Sequence, residues 1–249
     1  MKRLCFCLLA CVFAVSLYAQ DIAKIKIEDY KLDARITSIL ADESGNDAIY
    51  QQNNNIYALG WSKDGKLAFI ENREIEGRGG HDFFFTIQDM VEDEACYYKV
   101  IIGYDGEVDD PEGPGMSFEE CIRANAGEFN QALKKYGIVV KPLTVSLLPA
   151  LDRDGNSVSF HINILKEAEN EFCLTEMTYE LIATKNGKSK SLGTVKDKIC
   201  NYVMPTAYLK SPYEDRIALI VADSEHVFEG SEVFVQFYGC NLRSGFSKK

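Results

Sequence analysis

Apolar and polar residues alternate along much of the chain, with the two-residue period of half-buried β-strands. The alternation starts at residues 23–32, which we expect to form a strand. Further apolar runs follow between residues 56 and 104, and Asp64 and Gly65 separate the first two of them. This pair tolerates the positive φ of a tight hairpin turn. The pattern predicts an antiparallel sheet of about four strands in this part of the chain.

One segment follows a helical period instead. Ser117 and Glu120 form a capping box at its start, and Gly137 suits its end. The apolar face of this segment consists of Phe118, Cys121, Ile122, Phe129, Ala132, Leu133 and Tyr136. The spacing predicts one amphipathic helix over residues 116–137 that packs against the sheet.

Residues 138–249 return to the strand period, and turn signals recur at short intervals without a second helical pattern of similar strength. This spacing favours a mainly β (α+β) fold, with antiparallel sheets in a sandwich or a partial propeller-like arrangement and one packed helix. We expect an N-terminal β region over 20–115, the helix over 116–137 and a C-terminal β region over 138–249. Residues 20–249 should form one compact unit.

The N-terminus has the pattern of a secretory signal peptide. Lys2 and Arg3 precede an uncharged apolar run over residues 4–19, which is shorter than the roughly 20 residues that a membrane-spanning helix needs. We expect cleavage after residue 19, so the mature protein would be periplasmic or secreted. The alternative is a lipoprotein in which Cys11, at the end of a Leu-Leu-Ala-Cys sequence, carries the lipid anchor.

The formal net charge is −11 and becomes more negative when the two basic residues of the signal peptide leave. Such an acidic protein is repelled by the phosphate backbone, so nucleic acid is not an expected partner. One acidic loop is a possible binding surface for an envelope protein or a small ligand, and its carboxylates belong to Asp105, Glu107, Asp109, Asp110 and Glu112.

The aromatic run at residues 81–88 is another candidate surface. The strand period predicts that Phe83 and Phe85 face the core while Phe84 faces a second layer.

Five cysteines lie outside the signal peptide. In an exported protein they are disulfide candidates, and an odd number leaves at least one without an intramolecular partner. Pairing of sequence neighbours would join Cys96 to Cys121 and Cys173 to Cys200, and would leave Cys240 free. Their spacing lacks the pattern of a zinc or thioredoxin-like site.

The motifs of common enzymes are missing from the chain. The three histidines, His81, His161 and His226, stand apart from one another, and no serine lies in a nucleophile-elbow sequence. A binding or structural role is therefore favoured over catalysis. The alternative is a hydrolase whose active site assembles only in three dimensions.

One segment resembles the first half of a calcium-binding loop. Asp152, Asp154 and Asn156 alternate around Gly155, but the glycine comes one position too early for an EF-hand and the twelfth position is Asn163 rather than glutamate. A polar hairpin turn is the alternative interpretation. Calcium is the only cofactor that the sequence suggests.

Two segments of the chain are similar to each other. Ser62 and Ser211 each precede an acidic turn, a basic residue and an apolar strand, which predicts two similar hairpins. Residues 61–85 together with 210–239 resemble an uncharacterised family of bacterial predicted secreted proteins, a domain of unknown function. The hairpin alone also resembles the repeat of TolB-type propellers, although Lys63 stands where that repeat usually has proline. The resemblance implies an exported location and supplies no catalytic residue.

Overall fold

The computed structural model describes residues 21–27, 51–52, 54–75, 80–104, 115–227 and 230–248. The predicted signal peptide, the 28–50 segment and the acidic loop at 105–112 lie outside the described residues. Three sheets and one α-helix make up the described part of the chain. The prediction of a mainly β protein with one packed helix is confirmed.

Sheet I holds the first hairpins. Its strands are β2 (Asn54–Trp61), β3 (Lys66–Ile75), β4 (Gly80–Asp89), β5 (Glu94–Tyr104) and β6 (Val139–Val140). They lie in the order β5-β4-β3-β2-β6, with all neighbours antiparallel. The long strand β5 therefore forms one edge of this sheet.

Sheet II contains the C-terminal hairpins. Its strands are β1 (Gln51–Gln52), β7 (Val145–Leu147), β12 (Tyr202–Lys210), β13 (Arg216–Val227) and β14 (Gly230–Asn241). They lie in the order β1-β14-β13-β12-β7, and the short β1 runs parallel to β14.

Sheet III consists of β8 (Ala150–Leu151), β9 (Ser157–Glu169), β10 (Thr175–Lys185) and β11 (Lys188–Ile199), in the order β11-β10-β9-β8. The strands are antiparallel, and a two-residue turn at Asn186 and Gly187 joins β10 to β11. Both turn residues have positive φ, as this hairpin type requires.

The alternation of side chains along the strands builds three stacked cores. Phe83 and Phe85 of sheet I pack against the helix, whereas Leu67 of the same sheet faces sheet II. On β13, Ala218 faces sheet I while Leu219 faces sheet III. The layers thus follow the order helix, sheet I, sheet II, sheet III, because the period of two sends successive residues to opposite faces.

The helix α1 (Phe118–Lys135) begins and ends close to the predicted bounds. Ser117 and Glu120 form the predicted capping box, in which the Ser117 hydroxyl accepts from the Glu120 backbone N–H and the Glu120 carboxylate accepts from the Ser117 backbone N–H. Cys121 and Phe129 are buried on its apolar face. Within the described residues, no helix is both long enough and apolar enough to cross a membrane.

The strand predicted over residues 23–32 is wrong where the structure describes it. Ile22–Lys24 form a 3-10 helix whose start is capped by the Asp21 side chain. Asn130 of the helix accepts from the Ile22 backbone N–H at 3.0 Å and donates to Asp21 at 3.2 Å. These contacts place Ile22 in the core between the helix and sheet I. The segment is therefore held by its 3-10 turn and not by pairing with a strand.

The two similar hairpins are confirmed as β2–β3 and β12–β13, and their turns meet in space. The Met90 backbone N–H donates to the Gly65 carbonyl at 3.0 Å, and the Arg216 guanidinium donates to the Met90 carbonyl at 2.8 Å. A side chain at Gly65 would approach Glu214 to 2.8 Å. The two turns thus help to hold sheet I against sheet II.

The predicted disulfides are not present, since all five cysteines of the described chain are free. Cys121 is fully buried between helix and sheet I, whereas Cys96 lies at a bulge of β5 and its neighbour Tyr97 takes the place against the helix. Cys173 is exposed in the β9–β10 turn, while Cys200 is buried between sheets II and III. Neither predicted pair forms a disulfide, because the two cysteines of each pair lie in different parts of the fold.

Candidate functional site

The outer edge of β5 is open in its central part. At one end the Tyr136 hydroxyl donates to the Cys96 carbonyl at 2.7 Å, and at the other the Met116 N–H donates to the Gly103 carbonyl at 2.8 Å. Between these two contacts lie residues 97–102, which pair with β4 on their inner side. No group in the described part of the chain bonds to their outward backbone atoms.

The same section of β5 exposes a row of apolar side chains. Tyr98, Val100 and Ile102 are 57%, 44% and 58% exposed, and they lie on the sheet face that points away from the helix. Phe84 of β4 stands opposite Val100 and stacks on Tyr98 with ring centroids 6.0 Å apart. We call Phe84, Tyr98, Val100 and Ile102 the β5 strip.

The opposite face of β5 is fixed to the helix. The Tyr97 hydroxyl donates to Glu128 at 2.7 Å, and the Lys99 ammonium forms an ion pair with the same carboxylate. Burial and the neighbouring Glu128 raise the pKa of Tyr97 to about 12, and hydrogen bonds from Lys99 and Tyr97 lower the pKa of Glu128. The charge of the Lys99 ammonium is balanced by the Glu128 carboxylate, so the open section of β5 carries no unpaired charge.

The corresponding edge of β14 is closed by strand β1 and by side chains from sheet I. Asn54 donates to the Val235 carbonyl and accepts from the Val235 N–H, both at 2.9 Å. Further along, Gln88 donates to the Phe237 carbonyl at 3.1 Å, and Asp93 accepts from the Gly239 N–H at 2.6 Å. These contacts satisfy the outward backbone N–H and C=O groups of β14 at residues 235, 237 and 239. Few of its backbone groups are therefore left to pair with another strand.

The edge of β11 is guarded by charge. The strand carries four lysines, Lys188, Lys190, Lys196 and Lys198. Lys188 and Lys196 are exposed, and such side chains discourage pairing with a further strand, whereas Lys190 and Lys198 reach toward sheet II. Near its start, Ser189 and Ser247 form a β-bridge with two hydrogen bonds of 3.0 Å. The open section of β5 carries one lysine, Lys99, which is paired with Glu128 on the helix side.

A buried charged cluster lies between sheets II and III. Asp223 is fully buried, accepts from Gln236 at 2.9 Å and lies 3.4 Å from the Lys198 ammonium, which also pairs with Glu225. Burial raises the pKa of Asp223 to about 7, although Lys198 opposes the rise. The cluster joins β13 to β11, and burial favours the protonated form of Asp223 more than in an exposed aspartate.

The sequence contains a signal for this cluster. Ile217, Leu219 and Val221 face the same core, and the period of two places Asp223 next in that row. A carboxylate at a core-facing position needs a partner, so the pattern predicts a buried ion pair. It does not say that Lys198 is that partner.

The calcium-like segment forms the turn of the β8–β9 hairpin. Burial opposes ionisation of Asp152, but hydrogen bonds from Asn156, Lys185 and the Asp154 backbone lower its pKa to about 2. The Lys185 ammonium lies 3.1 Å from the Asp152 carboxylate. Asp154 points outward to Arg243 at 3.4 Å. Among the residues that the structure describes, no group of three acidic, histidine or cysteine side chains could hold a metal ion.

The two histidines whose side chains the structure describes do not converge. His81 packs beside Phe83 and Tyr104, and its Nε2 lies 3.1 Å from the Met116 carbonyl oxygen. His161 is exposed on sheet III, so the whole of sheet II separates it from His81. The side chain of His226 lies outside the described residues, as do the five carboxylates of the 105–112 loop.

The triple-phenylalanine prediction is confirmed. Phe83 and Phe85 are fully buried in the core beneath the helix, and Phe84 is half-buried on the opposite face. The sequence therefore correctly placed Phe84 on the face opposite Phe83 and Phe85. It did not identify Tyr98, Val100 and Ile102, because the sequence of β5 has the pattern of any half-buried strand. Only the strand order shows that β5 lies at the edge of the sheet.

Comparisons of the chain with family models, with characterised proteins and with solved structures give no match.

Proposed function

We propose that the protein is an exported binding module that docks a protein of the cell envelope along β5. The observation that carries this proposal is the open backbone edge at residues 97–102 beside the exposed β5 strip. An edge strand supplies main-chain hydrogen bonds for affinity, and its alternate side chains supply specificity.

The contrast between edges supports the proposal. An open, apolar edge strand invites unwanted pairing, and proteins commonly block such edges. This chain blocks β14 with Asn54, Gln88 and Asp93, and its β11 carries the exposed lysines Lys188 and Lys196. Leaving β5 open in the same molecule is consistent with a surface kept for a partner.

The location follows from the sequence. The signal-peptide pattern over residues 1–19 directs the chain to the export pathway, and the acidic composition suits a protein of an extracytoplasmic space. The binding role is preferred over catalysis because His81 and His161 lie in different sheets.

The test is photocrosslinking in intact cells. Benzoylphenylalanine is placed at residue 100 on β5, or at the exposed residue 194 on β11 as the matched control, and crosslinked species are identified by mass spectrometry. We expect one reproducible envelope partner from residue 100 and none from residue 194. In a second pair of variants the crosslinker is placed at residue 98. The crosslink from residue 98 should be lost when Val100→Lys is added and kept when Thr194→Lys is added.

Val100→Lys and Thr194→Lys replace exposed side chains, so each should change the free energy of unfolding by less than about 0.5 kcal/mol. A loss of the crosslink is then a loss of docking rather than of folding. Equal crosslinking from residues 100 and 194, or none from residue 100, would overturn the proposal.

A further inference from the structure

We infer that the end of the β9–β10 hairpin is a second docking point, whose occupant is a protein with an apolar pocket bordered by basic side chains. We call residues 167–176, with Phe172 in their turn, the hairpin tip. The hairpin tip belongs to sheet III, and sheet II separates it from the β5 strip of sheet I. The inference therefore goes beyond the proposed function and does not depend on it.

The end of the hairpin projects from the body of the protein. Residues 163–167 of β9 are all exposed. Because successive residues of a strand point to opposite faces, neither face of β9 is covered there. Strand β8 pairs only with residues 157 and 158 of β9, so it ends before this section. A partner can therefore reach the hairpin tip from either side of the sheet.

The turn of the hairpin tip is fixed by the side chain of Asn170. Its carbonyl oxygen accepts from the backbone N–H of Phe172 at 2.9 Å and from that of Leu174 at 3.0 Å, and its amide donates to Glu176 at 3.2 Å. The backbone adds two hydrogen bonds, from the Asn170 N–H to the Leu174 carbonyl at 2.9 Å and from the Cys173 N–H to the Asn170 carbonyl at 3.0 Å. None of these bonds uses the side chain of Phe172, so its ring is not needed to form the turn.

This turn presents the ring of Phe172 to solvent. The residue is 72% exposed, more than any other large apolar residue that the structure describes. A single exposed apolar residue is common on protein surfaces and is not a binding site by itself. Phe172 differs because hydrogen bonds already fix its backbone. A pre-organised aromatic side chain loses little freedom on binding, and such residues anchor interfaces by filling a pocket of the partner.

The hairpin tip carries negative charge that the described chain does not balance. Residues 167–176 contain four glutamates and no lysine or arginine. Lys166, which precedes them, pairs with Asp197 at 3.6 Å, and Lys198 on the neighbouring strand pairs with two carboxylates of β13. Basic side chains around the pocket of the partner would be attracted to the four glutamates. Such complementarity speeds association and disfavours acidic partners.

The test is photocrosslinking in intact cells with benzoylphenylalanine in place of Phe172. This crosslinker is itself a derivative of phenylalanine, so the position keeps an apolar aromatic ring. The exposed residue 194 of β11 is the control position in the same sheet. We expect residue 172 to crosslink to one protein other than this chain, and residue 194 to give no crosslink. Mass spectrometry should place the joined residue of the partner in an apolar segment flanked by lysine or arginine.

Charge-reversal variants test the acidic part of the inference. Glu169→Lys combined with Glu171→Lys should lower the yield of the crosslink from residue 172 about ten-fold or more. Glu92→Lys combined with Glu94→Lys makes the same change in net charge at exposed positions beside the β4–β5 turn, and should leave the yield within about two-fold. Thermal melts of the purified variants check that each of them folds.

Several results would overturn the inference. They are no crosslink from residue 172, equal crosslinking from residues 172 and 194, and a crosslink to lipid or to a second copy of the chain. Equal losses from the two charge-reversal pairs would show that only net charge matters and would exclude the basic border of the pocket. Val100→Lys should leave the crosslink from residue 172 unchanged, so this inference and the proposed function can fail separately. A loss in Val100→Lys would show that the hairpin tip is not a docking point of its own.

Discussion

The side-chain amide of Asn54 pairs with the backbone of Val235 as another strand would. It donates to the carbonyl and accepts from the N–H, both at 2.9 Å, and the residue is almost fully buried. A third hydrogen bond joins it to Glu71 at 2.8 Å. Through this contact a residue of sheet I closes the edge of sheet II.

Replacing Asn54 by alanine should lower the free energy of unfolding by about 2–4 kcal/mol, because two buried backbone groups of Val235 lose their partners. The measurement is urea denaturation. Asn163→Ala, at an exposed position of β9, is the control and should stay within about 0.5 kcal/mol of the wild type. A stable Asn54→Ala protein would show that water replaces the amide without cost.

Gly239→Ala should lower the free energy of unfolding by about 2 kcal/mol or more, since a Cβ there would lie 1.9 Å from the Met90 carbonyl oxygen. Gly127→Ala is the matched comparison. Gly127 lies within the exposed part of α1 with no atom near its missing Cβ, so alanine should stabilise the helix by up to about 1 kcal/mol. Thermal and urea melts of both variants check the opposite signs. Similar effects from the two substitutions would contradict the close packing at Gly239.

The protein should become more stable as the pH falls from 8 to about 5.5. Burial raises the pKa of Asp223 to about 7 and that of Asp93 to about 6, whereas an unfolded aspartate has a pKa near 3.8. Over this window the folded state therefore binds more protons than the unfolded state, and each such group adds at most about 1.4 kcal/mol per pH unit. Urea denaturation at several pH values measures the trend.

Asp223→Asn should reduce the pH dependence of the free energy of unfolding. The part that is due to Asp93 should remain. The groups around Asp223 are Lys198, Glu225, Tyr179, Tyr238 and Cys200. Asp197→Asn, which changes an exposed carboxylate of β11, should leave the dependence as it is. Stability that falls steadily between pH 8 and 5.5 in the wild type would contradict the assignment of a proton to Asp223.

Calcium binding at Asp152, Asp154 and Asn156 stays a prediction that a thermal melt can test. Because the Lys185 ammonium already balances Asp152, we expect calcium or its chelator to shift the melting temperature by less than about 1 °C. Lys185→Met should lower the melting temperature, since Asp152 loses a buried partner. A rise of several degrees with calcium, absent in Asp152→Asn, would instead establish the metal site.

Thiol labelling of the chain from residue 20 onward should find five free cysteines. Under native conditions a maleimide should modify Cys173 fast, because it is exposed, and reach Cys121, Cys200 and Cys240 only in denaturant. Mass spectrometry counts the labels. Cys173→Ser should remove the fast phase alone, and a mass lower by two or four hydrogens with fewer labels would restore the disulfide interpretation.

Much of the fold could be read from local patterns. The capping box at Ser117 and the turns at Gly65 and Gly187 are decided by a few neighbouring residues, so the sequence predicted them correctly. The strand predicted at residues 23–32 is wrong over the described residues 23–27 for the opposite reason. Its alternating isoleucines dock on the helix from a 3-10 turn, and a contact between Ile22 and Asn130 leaves no mark on the local pattern.

The sequence by itself determined the β-rich class, the single helix, the alternation that sends Phe83 and Phe84 to opposite faces, and the acidic charge. These depend on residue type and on periods of two or 3.6. Only the tertiary structure decided that β5 is an edge, that Asn54 closes β14, and that Asp223 meets Lys198. Strand order and the packing of one sheet on another come from residues far apart in the chain, and neither spacing nor composition records which distant strands become neighbours.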